Sequence, residues 1–268
     1  MRQITIALLS IALLSSPLIT SCSKNNDNTL VVAMELQFPP FEMAAPDGTP
    51  SGISVETAYA LGEYLDRPVR IVNTSWAGLI PALQSGKAHL VISSMNISAQ
   101  RAKVVDFSIP YAASGLTLLI NNGSTVTGYP DLAAEGILVA VKSGTTGALW
   151  AQENLPTANI RIFDDVSACA LEVAQGKVDA FIYDGLTTFE LQKKFPDATF
   201  VNLENLPGTR GDWGIAMKKG SPLKKDVDAF ILAFRTSGGF ANLETKYLTD
   251  MKQVFDQAGL PSFFNLGK

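Results

Sequence analysis

The sequence is poor in the residues on which most metal sites and many enzymes depend. Among 268 residues it has one histidine, His89, and two cysteines, Cys22 and Cys169. With one His and no Cys or carboxylate cluster at ligand spacing, a zinc or iron site is not expected, and no cofactor is called for. An excess of positive charge is also missing. Lysine and arginine number 21 against 25 acidic residues, a formal net charge of -4, so no basic field draws nucleic acid or an acidic membrane surface. Charged residues make up 17% of the chain and hydrophobic ones 47%, which excludes a disordered polymer and describes a chain that builds cores. Its length suffices for two domains of ordinary size.

One long apolar run stands at the start. Met1-Arg2 is a short cationic beginning; Ile4 to Ile19 is apolar but interrupted at Pro17, and too short to span a membrane as a stable helix. It ends in Leu18-Ile19-Thr20-Ser21-Cys22, which resembles the lipobox of bacterial lipoproteins, with small residues before the cysteine that is lipidated. Residues 1–22 are therefore expected to be a lipoprotein signal peptide with Cys22 acylated, as by palmitate, and 23–28 a polar tether. A plain signal peptide with a chance cysteine is the alternative. Acylated Cys22 could not form a disulfide, and Cys169 lies at helical spacing with Val166, Ala170 and Val173, as a buried thiol would.

The body alternates strands and helices. Leu30 to Met34 reads as a buried strand, with Glu35 at its end and Phe38-Pro39-Pro40-Phe41 as a stiff loop beyond it. Val55, Ala58, Leu61 and Leu65 repeat at helical spacing, and Val69 to Val72 is the next strand. Trp76 precedes a short expected helix over Leu79 to Gln84. Leu90-Val91-Ile92 is a further buried strand. It runs into Ser93, Ser94, Met95 and Asn96, and Ser98 offers an N-cap to a helix with Arg101 in its first turn. A cation is poorly placed there against the helix dipole, unless an anion visits the same spot.

The chain then repeats itself. Residues 83–92 and 173–182 both read helix, glycine, lysine, buried strand: Gly86-Lys87 in the first copy, Gly176-Lys177 in the second. Ile137 to Val141 matches Leu30 to Met34 in role and leads to Lys142-Ser143-Gly144-Thr145-Thr146-Gly147, while the second repeat ends at Tyr183-Asp184. Two α/β units with mostly parallel sheets follow, and ligands of such sheets bind beyond the carboxyl ends of strands. Glu35, Ser93, Lys142 and Asp184 stand at such ends. Trp213 to Met217 is expected to be one more strand. The apolar spacing of Val227, Phe230, Ile231 and Phe234, then Phe240, Leu243 and Tyr247, predicts two tail helices packed on the first unit. The expected lobes are 29–113 plus 213–268, and 114–212.

These residues resemble the family 3 extracellular solute-binding proteins, receptors of polar amino acid ABC importers. The likeness is carried by Phe38 to Phe41, Asp47-Gly48 with Gly52, Trp76 with Leu79 to Leu83, Ser85-Gly86-Lys87, Met95 through Arg101, Asp106 to Tyr111, the Gly144-Thr145-Thr146 turn and Asp184. It implies a two-lobed periplasmic binding protein fold of the Venus-flytrap kind (type II) with a two-strand hinge, closing on a polar amino acid. By the same resemblance Arg101 takes the ligand carboxylate, with backbone near Asn96 and Thr146. Asp184 takes the ammonium, assisted by the Ser93–Ser94 region; Phe38 and Trp76 flank the side chain, and Glu35 and Lys142 lie near its tip. Asn96 departs from the Thr or Ser usual there, Ser54 and Glu56 from aspartates, and Gly147 from a larger polar residue.

The resemblance further implies no catalysis, a monomer, ABC permease and ATPase partners, a membrane reached through the lipid alone, and a place in the bacterial cell envelope facing periplasm or exterior. Several of the residues have plainer readings: Glu35 a solvated carboxylate, Trp76 an inter-helix core residue, Lys142 a surface lysine, Asp184 a turn starter, Arg101 a surface arginine. If Glu35 and Lys142 both face the side chain, the tip is neutral and suits the carboxamide of glutamine; if Lys142 turns outward, Glu35 between two aromatics suits arginine, lysine or histidine. A dehydratase of arogenate-type acids on the same scaffold is the rival, with Glu35 or Lys142 as general acid.

Overall fold

The computed structural model describes residues 28–155, 159–257 and 259–266. The expected signal peptide with Cys22, and the polar stretch after it up to residue 27, lie outside the described residues. Among those described, no helix is long and apolar enough to cross a membrane.

Two five-stranded sheets organise the chain, each laid out the same way. In the first, Leu30–Met34 lies between Val69–Asn73 and Leu90–Val91, parallel to both. Ala216–Lys218 and Val105–Phe107 then extend it antiparallel. In the second, Leu138–Lys142 lies parallel between Asn159–Phe163 and Ala180–Asp184. Leu116–Asn121 and Thr199–Asn202 extend that sheet antiparallel. The fold is the two-lobed α/β fold, and in each sheet four strands run one way while a single strand, Ala216–Lys218 in the first and Leu116–Asn121 in the second, runs against them. Helices carry the chain between strands that run the same way, Gly185–Lys194 leading to Thr199–Asn202 for example, whereas Leu116–Asn121 and Ala216–Lys218 each arrive from the other sheet and are set antiparallel.

The two sheets are joined by a short ribbon. Ala112–Ser114 pairs antiparallel with Gly211–Trp213, Ala113 opposite Asp212. Trp213 to Met217 is thus two strands, not one. The chain is pinned between them: Gly214 N–H donates to the Met95 carbonyl, and a Cβ on Gly214 would sit 2.9 Å from the Ile97 side chain. The ribbon strand belongs to the crossing and the second strand to the sheet.

Burial follows the sequence pattern. Leu30, Val32, Met34, Leu90 and Ile92 are fully buried in one core with Ile53, Ala58 and Leu61 of the helix Ile53–Tyr64. The tail helices Lys224–Thr236 and Gly239–Gln257 contribute Val227, Phe230, Ile231, Phe240 and Leu243 to that core. Cys169 packs with Val166, Ala170 and Val173 under the second sheet, where burial pushes its thiol up to about 12. His89 enters the Leu90–Val91 strand, its Nδ1 accepting the Val31 N–H at 2.9 Å. Both repeat copies turn at a left-handed glycine, Gly86 with φ 74° and Gly176 with φ 67°, the conformation that ends a helix without steric cost to glycine.

Candidate functional site

Strand ends of both sheets face each other across one cleft. It holds about 70 Å³ of water-accessible room, several times what one water needs. Glu35, Phe38, Trp76, Ser93, Ser94, Asn96 and Arg101 line it from the first unit, and Thr146 and Asp184 from the second. Of the ten residues expected at a ligand, Lys142 does not reach its wall. Lys142 is 1% exposed and pairs instead with Glu35, itself buried, so neither is the solvated group a plainer reading allowed.

This ion pair spans the two units. The second Glu35 oxygen accepts the Trp76 N–H at 3.0 Å, which explains why the helix begins at Trp76 rather than Leu79. The carboxylate supplies from another element the acceptor that the first turn needs, and Ser75 gives no side-chain cap. Ser93 Oγ accepts the Glu35 N–H at 2.9 Å, fixing the strand end.

Arg101 is buried rather than a surface arginine. Ser98 caps its short helix, with Oγ accepting the Arg101 N–H at 3.2 Å, so that backbone donor is engaged and not free for an anion. The guanidinium donates to the Asn96 carbonyl at 2.8 Å and, across the cleft, to the Gly144 carbonyl at 3.1 Å. It also lies 5.2 Å from the Trp76 ring centre. Among the described residues no carboxylate pairs with it; burial alone lowers its pKa, to about 10, so it remains a cation at neutral pH. A buried cation served by carbonyl dipoles and a ring face, with no anion beside it, is under-compensated, and an anion in the cleft would complete it.

Asp184 mirrors it with the opposite charge. One oxygen caps the helix Gly185–Lys194, accepting the Thr187 N–H at 3.1 Å, which realises the turn-starting role. The other, Oδ2, is buried and has no hydrogen-bond partner among the described residues. Burial raises this carboxyl to about 6. The wall therefore offers one unneutralised cation from the first unit and one orphaned carboxylate oxygen from the second.

The remaining contacts hold the two units together. Trp76 Nε1 donates to the Gly144 carbonyl at 3.1 Å, and Asn96 Nδ2 to Thr146 Oγ1 at 3.1 Å. The amide at 96, where a hydroxyl was the pattern, is long enough to make that bridge. Thr145 caps the helix Thr146–Asn154 through Ala148 N–H, and Gly147 packs so tightly that a Cβ would meet the Ile182 carbonyl at 3.0 Å. A larger residue at 147 would push that helix off its strand. Phe38 stacks on Phe41 at 5.6 Å and meets Tyr183 edge-on at 6.5 Å. Ser94 adopts φ 47°, a left-handed conformation costly for serine and the kind of strain that collects at binding sites.

Sequence reasoning missed several wall residues: Glu42, Ser114, Gly115, Leu116, Thr145, Tyr183 and Trp213. Glu42 had a signal. It is the lone charge in Phe41-Glu42-Met43-Ala44-Ala45, and the structure buries it to 1% exposure in a short strand, Glu42–Ala44. Ser54 donates to it at 2.6 Å, Ser94 at 3.1 Å and Ser93 at 3.4 Å. Desolvation outweighs those donors and raises its pKa to about 8. Ser54, where aspartate was the pattern, thus serves this acid directly.

Residues 30–250 match the family of bacterial extracellular solute-binding proteins, family 3. The L-cystine-binding protein TcyJ of Escherichia coli (strain K12) is 32% identical over 222 residues, covering 82% of each chain. The ancestral amino acid-binding protein AncCDT-1, a precursor of cyclohexadienyl dehydratase, superposes with TM-score 0.73 at 33% identity, over 83% of this chain and 96% of that one. An ancestral arginine-binding protein bound to glutamine gives TM-score 0.75 at 29% identity, over 82% and 98%. The chain belongs to the family 3 bacterial extracellular solute-binding proteins and is an amino acid-binding protein of an ABC transporter.

Proposed function

We propose that this protein captures a polar L-amino acid, glutamine in preference to arginine, between lobes 29–113 plus 213–268 and 114–212, and delivers it to an ABC permease. One observation carries the reading: the Arg101 guanidinium and the orphaned Asp184 Oδ2 are buried in one cleft, one from each unit, each without an opposite charge. A zwitterion satisfies both at once. Its carboxylate completes the arginine fork and its ammonium takes the free oxygen. Phe38 and Trp76 supply apolar faces for the stem.

The preference for glutamine follows from Glu35 and Lys142. Each neutralises the other, so Glu35 offers no spare charge to a guanidinium. The chain acts as a monomer held to the membrane through lipid on Cys22. Calorimetry of the mature protein with glutamine, arginine and cystine tests the ligand, alongside mass spectrometry of whatever co-purifies. Failure of all three to bind, with no amino acid carried through purification, would overturn the assignment. A second reading, an arogenate dehydratase, has the likeness to AncCDT-1 in its favour. Release of an aromatic product from arogenate is its test.

A further inference from the structure

Glu35 and Lys142 leave the tip of the ligand with little to contact. Both Glu35 oxygens are engaged, one by Lys142 and one by the Trp76 N–H, and Lys142 lies behind the wall. The remaining acidic group on the first unit's wall is Glu42. Its Oε2 accepts the two shorter serine bonds, from Ser54 and Ser94, whereas Oε1 accepts one long bond from Ser93. Oε1 is thus the oxygen with capacity to spare. We propose that Glu42, through Oε1, is the residue that reads the ligand side chain, donating a proton to an uncharged polar tip and holding a cationic one as a carboxylate. This rests on the amino acid reading above and names its specificity residue.

The surroundings favour the protonated form. Burial disfavours the charge, and Glu35 adds repulsion, softened by its pairing with Lys142. The Tyr111 hydroxyl, buried and without a hydrogen-bond partner among the described residues, stays protonated beside it, as does Tyr183. On the same unit Arg101 is a cation throughout the neutral range, and across the cleft Asp184 is ionised above about 6. Of the two tyrosines, Arg101 and Asp184, none titrates near 8, where Glu42 does. The protein would therefore change taste with pH, favouring glutamine below 8 and admitting arginine above it.

The experiment is calorimetric titration of the mature wild-type protein with glutamine and with arginine from pH 6.5 to 8.5. The two ligands share a head group, so titration of Asp184 and of the ligand ammonium cancels in the ratio of affinities. With Glu42 near 8, its ionised fraction rises roughly 25-fold over that range, and the arginine-to-glutamine ratio should climb by up to that factor. Glu42→Gln should flatten the ratio. Ser54→Ala, which removes a donor to the carboxylate without touching the ligand, should move the rise to higher pH. A wild-type ratio constant over the range overturns the proposal, and needs no variant to fold. So does a slope that survives in Glu42→Gln. If both ligands bind and Arg101→Ala abolishes binding while the ratio stays flat, the amino acid reading stands and this inference alone fails.

Discussion

The two sheets share one plan and carry opposite charges at matching places. Leu90 and Ala180 are equivalent in the repeat, and they sit opposite Val32 and Val139. Three residues beyond each of these come Glu35 and Lys142, the partners of the buried ion pair. The next strand end differs in the same sense: the first unit continues through two serines to a buried arginine, the second ends at Asp184. A duplicated scaffold thus presents one end of the cleft to an anion and the other to a cation. What distinguishes the lobes is the handful of side chains past the last buried residue of each strand, where packing no longer dictates identity.

The strongest way to break this comparison is to remove one of the two head-group charges. Arg101→Ala or Asp184→Ala leaves the ligand with an unpaired charge in a desolvated cleft, which costs about 2–5 kcal/mol. Calorimetry should show ligand affinity falling by at least roughly 30-fold in each, with the melting temperature of the ligand-free protein little lowered. Affinity kept by either variant would separate that residue from the ligand.

The Glu35–Lys142 pair should behave differently, because it joins lobe to lobe rather than protein to ligand. Lys142→Met strands a buried carboxylate at a cost of about 3–5 kcal/mol to the closed form. The double variant Glu35→Gln/Lys142→Met removes both charges and should recover most of that loss. Thermal unfolding of the four proteins gives the cycle; additive losses would mean that the pair contributes no coupling.

A pH series separates the two ends of the cleft. Arg101 stays charged across the neutral range, whereas Asp184 titrates near 6. Its folded pKa is raised, so in the ligand-free protein its contribution to stability is greatest below the ordinary carboxylate range and fades as pH climbs through 6. Ligand affinity runs the other way, since the ammonium needs the ionised form. From pH 7 to pH 5 glutamine affinity should fall about tenfold, with the loss following Asp184. A flat profile would move the ammonium away from Asp184.

Much of this was legible before any coordinates, for identifiable reasons. The buried strands are unbroken apolar runs, and both repeat copies announce their turns with Gly-Lys, so the strand ends and the residues just past them could be read directly. The edge strand Val105–Phe107 and its antiparallel neighbour Ala216–Lys218 span three residues each, too few for a period to declare itself. Tyr183 and Trp213 line the cleft, yet by type they read as core aromatics, and both are that as well. Glu42 was hidden for another reason. Its strand belongs to a small three-stranded sheet whose members are two or three residues long, and nothing in Phe41-Glu42-Met43 tells which face turns inward. The start of the Trp76 helix was misread because its capping acceptor, Glu35, comes from another strand, 41 residues away in sequence.

The gentlest test asks whether the repeat is more than a likeness of letters. Gly86 and Gly176 hold the same left-handed turn after corresponding helices, one in each lobe. A Cβ on Gly86 would meet nothing within 4 Å, and one on Gly176 would touch the Asn121 side chain at an ordinary 3.7 Å. Neither replacement by alanine is opposed by packing, so both should cost the left-handed penalty alone, about 1 kcal/mol each. In a chain of this size that is a fall of roughly 2–4 °C in melting temperature. Two equal decrements would mean that each lobe uses its glycine in the same way. A clearly larger loss at Gly176 would point to Asn121, whose amide also ties the Val173 carbonyl at 2.7 Å and so couples that turn to the strand beside it.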